Sequence, residues 1–329
     1  KEFDSHHGGF GTSTKFPSPH KLLFLLRYWK RTNSEKALSM VEQTLDAMRE
    51  GGMNDHIGYG FHRYSTDPEW QIPHFEKMLY DQALLAIAYT EAYQATCKQH
   101  YANTVREIFT YVLRDMTDSS GGFYSAEDAD SEGEEGKFYV WNAEEISSLL
   151  DSTAVDLFNN VYTIVPEGNF IDEAAGNRPG TNILYISRTL QDIASEMNST
   201  VKSSLKILEN ARKILFNTRE KRVHPHKDDK ILTDWNGLMI AALSKGGRVL
   251  DEPEYIAAAQ KSASFIIANM IDSDGQLFHR YREETAGIKG NVDDYAFLIW
   301  GLLELYEATF DVQHLNTALT LQEFMTEHF

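Results

Sequence analysis

The sequence is poor in cysteine, in positive charge and in long apolar runs, and each shortage removes a class of protein. A single cysteine, Cys97, among 329 residues leaves no internal disulfide and no CxxC redox pair, as expected in a reducing compartment such as the cytoplasm. Its place inside or at the end of an apolar helical run reads as a small core residue. Lys and Arg number 31 against 49 Asp and Glu, a formal net charge of −18. Such a field repels nucleic acid and anionic membrane surfaces and favours neutral polar or cationic ligands. Apolar runs such as residues 22–26 and 298–305 fall far short of the roughly 20 that span a bilayer. The opening KEFDSHHGGFG has neither an initiator Met nor a basic-then-apolar leader, so the chain reads as a piece of something longer.

What is present is apolar and periodic. Hydrophobic residues make up 42% and aromatics 12%, enough for a large core and too much for a disordered chain. Four segments, 22–29, 75–93, 235–250 and 295–310, are apolar nearly all round, which predicts helices buried on every side. Each is followed after a short break by a segment with one apolar stripe at helical spacing. The stripes are Leu38, Val41, Leu45 and Met48; Tyr101, Val105, Ile108 and Val112; Tyr255, Ala259, Ser262 and Ile266; and a weaker Leu315, Ala318 and Leu319. Inner helix, turn, outer helix, repeated, is the pattern of an all-α fold, an α/α toroid of five or six helical hairpins in one domain over 1–329, with short β-hairpins in its loops. Residues 142–150, opened by a capping box of Asn142 and Glu145, and 187–197 and 201–216 also read as helices.

The loops entering the inner helices are long and rich in glycine, aromatics and carboxylates, and the one over 51–73 far exceeds a median connection. Gathered at the helix N-termini, they would bring together His56, His62, Arg63, Trp70, His74 and Glu76, then Asp128, Asp130 and Trp141, then Asp229, Asp234, Trp235 and Asn236, then Asp293 and Asp294, with Tyr80 just inside the second inner helix. Carboxylates interleaved with aromatic rings suit sugars, whose C–H faces pack on rings while their hydroxyls bond to acceptors. Pro73 suits a first helical turn, with His74 and Glu76 following in that turn as an acid/base pair. Helix capping is the plainer role for Asp234, Asp293 and Glu76. Metal readings are weaker. Asp128-x-Asp130-x-Glu132-Gly133 starts like a calcium loop, but Tyr139 stands where the bidentate Glu belongs. His224-x-His226-x-Asp228 has ligand spacing, but Pro225 stiffens it. No metal and no cofactor is expected.

Four long motifs in order, GGFG with KFPSP, DHIGYGFHRYSTDPEWQIPHFEKMLYDQALL, GGFYSAEDADSEGEEGKFYVW and DDKILTDWNGLMIAAL, resemble the spermatogenesis-associated, thioredoxin-domain-containing proteins once catalogued as a domain of unknown function. That family is similar to the N-acylglucosamine 2-epimerase and cellobiose epimerase group. The resemblance implies the six-hairpin, glycosidase-like toroid, an upstream thioredoxin-like domain as partner, and a toroid continuing past Phe329. It also implies a carbohydrate-active enzyme with a small sugar ligand, either a sugar epimerase or isomerase, or a glycoside hydrolase. In the first case His56 or His74 removes a proton beside a carbonyl and Arg63 steadies the oxyanion. In the second, Glu76 and Asp128 or Asp229 flank the bond. The rival is a non-catalytic binding or scaffold module serving the thioredoxin-like domain.

Overall fold

A computed structural model describes residues 2–169 and 180–329 of the chain. Helix makes up 56% and strands are few and short, as an all-α fold of hairpins requires. Among the described residues the helices are α1 (Pro19–Thr32), α2 (Glu35–Glu50), α3 (Leu79–Thr96), α4 (Gln99–Asp115), α5 (Ala143–Leu149), α6 (Ser152–Val161), α7 (Leu190–Glu196), α8 (Val201–Arg219), α9 (Thr233–Leu250), α10 (Pro253–Asn269), α11 (Val292–Thr309) and α12 (Val312–His328). None is long and apolar enough to cross a membrane. The chain divides into two compact units, each assembled from three separate stretches of sequence.

The unit made of Ser18–Glu42, Lys77–Glu127 and Lys227–Phe329 holds the long helices. As their sequences predict, α3 and α9 are buried nearly all round, because α9 packs against α3, α10 and α11 together. The other two apolar helices depart from expectation. α1 buries only Pro19, Leu22 and Leu26 while Phe24 and Tyr28 are exposed. α11 buries the stripe Tyr295, Leu298, Leu302 and Leu305 while Leu303 is exposed. An apolar helix buries as many faces as it has neighbours; α1 leans chiefly on α3, and α11 chiefly on α9 and α12. The outer stripes of α4 and α10 are buried as predicted, but Leu319 of α12 faces solvent. Cys97 is exposed too: it is the residue that ends α3 in a left-handed turn, φ 58°, outside the apolar run.

α9 and α11 approach closely because each has a glycine at the crossing. A Cβ on Gly237 would lie 2.5 Å from the backbone of Phe297, and one on Gly301 would lie 2.6 Å from the carbonyl oxygen of Gly237. The obstruction is backbone, which no rotamer change relieves. Gly237→Ala is therefore expected to cost about 1–3 kcal/mol, the usual penalty of overpacking. Urea unfolding at wild-type stability would contradict this.

The second unit comprises Lys1–Pro17, Gln43–Glu76 and Asp128–His226. Its core joins Trp141, Ile146, Leu157, Phe158, Ile193 and Leu215 from α5 to α8 and the strand before them. α6, capped by Asp151, is a further helix, and its buried Ala154, Leu157, Phe158 and Val161 follow helical spacing. The capping box expected at α5 does not form. Asn142 makes no side-chain cap, and the Glu145 carboxylate instead takes both of its bonds, 2.9 Å each, from Arg222, whose guanidinium lies 4.0 Å from the centre of the Trp141 ring. A charged bidentate partner outcompetes one backbone N–H.

Strand pairing also overrides the helix start expected at Pro73. Pro73 and His74 pair antiparallel with Ser65 and Tyr64, and Lys77 and Met78 pair with Glu127 and Ala126. With these residues extended, α3 begins at Leu79, and His74 and Glu76 lie before the helix rather than in its first turn.

Candidate functional site

In the unit containing the 51–73 loop, several residues expected to touch a ligand are structural. Trp70 is fully buried, with its indole N–H donating to the His7 carbonyl at 3.1 Å and the Lys15 ammonium 5.7 Å from its ring centre. Lys15, also fully buried, donates to Asp4 at 2.7 Å and to the carbonyls of Gly8 and Pro68 at 2.7 and 2.6 Å. Trp70 thus closes the loop and offers no face to a sugar. Trp141 is equally buried under Arg222.

His56 and His62 line a cavity of about 20 Å³ with Asp55, Phe75 and Tyr139. That is room for one water and too little for a sugar. His62 Nδ1 donates to the Phe75 carbonyl at 2.8 Å, between the edges of Phe75 and Tyr139. His56 Nε2 lies 3.0 Å from the Gly51 carbonyl, which makes it the protonated nitrogen, and Nδ1 lies 3.4 Å from the Asn54 amide. Burial lowers the His56 imidazole to about 4, so it stays neutral and holds a loop; the proton-removing role expected of it does not fit. As pH falls from 6.5 towards 4, the unfolded chain binds a proton that folded His56 refuses, so this residue withdraws stability in that window. His56→Gln should flatten the acid side of a Tm-against-pH curve there, and an unchanged slope would contradict the assignment.

His74 and Glu76 do meet, with His74 Nε2 3.6 Å from Glu76 Oε2, both half-buried. Each has a second partner, Glu135 at 2.7 Å from His74 Nδ1 and Arg63 at 2.7 Å from Glu76. The Tyr64 ring stacks on His74. Asp128 and Asp130 are exposed at the short hairpin 130–135; Asp128 accepts its neighbour's backbone N–H at 2.7 Å.

In the unit of long helices, the first turns of α9 and α11 meet a strand. Thr233 opens α9 by donating to the Phe278 carbonyl at 2.6 Å. Asn236 is buried and clamps the backbone of Phe123 and Leu232, so it is scaffold rather than a ligand contact. Asp229 is exposed and paired with Arg282 at 2.7 Å. Trp235 and Tyr80 are half-buried and meet edge to face at 4.9 Å. Asp234, the residue before Trp235, is half-buried in the first turn of α9.

Asp294 is fully buried and completes a capping box with Asn291. Its carboxylate accepts the N–H of Asp234 at 3.0 Å, the N–H of Asn291 at 2.7 Å and His279 Nδ1 at 3.0 and 3.1 Å. It therefore holds the site together rather than touching substrate as expected. Asp293, next to it, is exposed. Burial, then the Asp294 charge, push the Asp234 carboxyl up to about 6. These outweigh the helix N-terminus, which favours the ionised form. Atoms of Asp234, His279 and Asp294 lie within 4.8 Å of one another. His279 was missed in the sequence because the LFHRY segment reads as a plain strand, and its partner Asp294 is 15 residues away.

Compared with descriptions of known protein families, the chain matches none. It is 37% identical to human spermatogenesis-associated protein 20 over 357 residues, 99% of this chain and 45% of that protein. It is 36% identical to an uncharacterised protein of Caenorhabditis elegans over 359 residues, 99% of this chain and 49% of that one. The chain spans about half the length of the curated relatives it matches. Among solved structures it is similar to a family 76 glycoside hydrolase (mannosidase) from Bacteroides thetaiotaomicron, with TM-score 0.51, 11% identity, and coverage of 92% of this chain and 57% of that one. It is likewise similar to an α-1,6-mannanase of Salegentibacter crystallised with α-1,6-mannotriose, with TM-score 0.51, 13% identity, and coverage of 94% and 62%. At such identities the likeness is one of fold, the α/α toroid of carbohydrate-active enzymes.

Proposed function

We propose that the chain is a carbohydrate-active enzyme that moves protons on a sugar, an epimerase or isomerase, with Asp234 as its acid. The observation that carries this reading is a half-buried carboxyl that burial and the Asp294 charge push up to about 6, next in the chain to Trp235, whose half-buried ring meets that of Tyr80. A carboxyl near 6 holds a proton close to neutral pH and can give it to a sugar oxygen, as a general acid must. Two rings at an angle offer a surface on which the C–H face of a pyranose packs. Fold likeness alone supplies no reaction, so the argument rests on these side chains.

Glycoside hydrolysis is the second reading, favoured by exposed Asp293, whose charge also raises Asp234 and which would serve as the second carboxylate. The test is to incubate full-length protein with reducing hexoses and, separately, with aryl mannosides and glucosides. Interconversion of reducing sugars without release of the aryl group supports the first reading. Aryl release without interconversion replaces it with the second, and activity on neither removes both.

A further inference from the structure

We infer that the cleft between the last turns of α1 and α3 is a second ligand site, fitted to a neutral saccharide and remote from Asp234. Its volume is about 430 Å³, within the roughly 300–1,000 Å³ that small-molecule sites occupy. Buried Leu26 and half-buried Trp29 give the lining an apolar part. Part of the polar lining is already committed. Arg27 places Nη1 and Nη2 at 2.7 and 3.0 Å from the two oxygens of Glu91, and Lys245 of α9 donates to the same carboxylate at 3.0 Å. The rest is open to a ligand: the Lys30 ammonium, the Gln94 amide and the Trp29 indole N–H have no partner among the described residues. An aromatic face, several donors and an amide acceptor are what a pyranose needs, since its C–H face packs on a ring and its hydroxyls both give and take hydrogen bonds.

Charge decides between a neutral and an anionic ligand. Arg27 and Lys30 against Glu91 leave one positive charge in the lining. The cleft lies in the last two turns of α1 and α3, and each of those helix ends carries about half a negative charge. The two contributions cancel, so a phosphate or carboxylate gains nothing there over a hydroxyl. The place of the cleft also follows from helix geometry. Tyr80 meets Trp235 in the first turns of α3 and α9, and Glu91 meets Lys245 nearer their ends, so the two helices run parallel. Lys245 stands ten residues after Trp235, a rise of about 15 Å. A sugar in the cleft is therefore bound and not converted, and the site stands apart from the reaction proposed at Asp234.

The test uses full-length protein labelled with 5-fluorotryptophan and followed by fluorine NMR, in which the Trp29 signal is the one lost in Trp29→Phe. The probes are glucose, mannose, N-acetylglucosamine and cellobiose, with glucose 6-phosphate and glucuronate as charged counterparts. At least one neutral sugar is expected to shift the Trp29 signal saturably, and to do so equally in Asp234→Asn. Lys30 and Gln94 are exposed, so the double variant Lys30→Ala, Gln94→Ala keeps its Tm, and its Kd is expected to rise about 5- to 30-fold. No shift with any neutral sugar, or a shift whose Kd the double variant leaves unchanged, overturns the site. A response to the charged sugars alone overturns the neutral ligand. A response lost in Asp234→Asn shows that Trp29 only reports the other site, and overturns the inference as well. None of these outcomes touches turnover, so the cleft and the proposed reaction fail separately.

Discussion

Asp234→Asn is expected to lower sugar turnover by about 100- to 10,000-fold while leaving the protein as stable as the wild type at pH 7, or more so. The first half follows from removing the proton donor. The second follows from linkage. Folded Asp234 titrates near 6, above the ordinary 3.8, so between those values the folded state holds a proton that the unfolded chain has released. Stability from this group therefore falls as pH rises through that window and stays lost at pH 7. Asparagine removes the half-buried charge beside Asp294 and with it the loss. A variant that is less active and more stable above pH 6 has the signature of a residue retained for chemistry. A variant that keeps full turnover, or that unfolds, would contradict the assignment. Melting temperatures at pH 4 and pH 7, measured beside activity, separate these cases.

The second large effect belongs to the other unit. Arg219, at the end of α8, places Nη1 and Nη2 each 2.8 Å from one oxygen of Asp55, and both side chains are buried. The guanidinium also lies 5.0 and 5.3 Å from the ring centres of Phe138 and Tyr139. Asp55 has a further duty: Oδ1 accepts the N–H of Ile57 and of Gly58 at 3.1 and 3.0 Å, turning the loop. Arg219→Met would leave that carboxylate buried without its cation, and breaking one side of such a pair typically costs about 3–5 kcal/mol. The double variant Asp55→Asn, Arg219→Met should recover a good part of this, because no buried charge remains and asparagine keeps an acceptor for the turn. Urea unfolding of the two variants decides the matter. A single variant within about 0.5 kcal/mol of wild type would show that the pair contributes little.

Helix existence was legible because it rests on periodicity: the stripe Tyr101, Val105, Ile108 and Val112 is buried as its spacing demands. How many faces an apolar helix buries was not, since Phe24 and Leu303 are exposed for want of neighbours that no local pattern encodes. Start positions failed where pairing partners lay far off in sequence, as with His74, whose strand partner Tyr64 precedes it by ten positions, and Glu145, captured by Arg222. At the site, carboxylates and rings were legible by type, and Asp234, Trp235 and Tyr80 came from that reading. Their roles were not. Trp70 carries the same chemistry as Trp235 but is sealed against Gly9 and Lys15. His56 and His279 look alike in sequence, and only burial and the position of Asp294 separate a loop anchor from a member of the Asp234 cluster.

The most direct test of the central claim is to incubate full-length protein with reducing hexoses in deuterated water and read the products by NMR. Proton transfer on a sugar carbon predicts that solvent deuterium appears beside the carbonyl carbon of the converted sugar, and that the label is lost in Asp234→Asn. Wild-type protein that leaves every sugar unlabelled and unconverted, or Asp234→Asn protein that labels as fast as the wild type, would contradict the account.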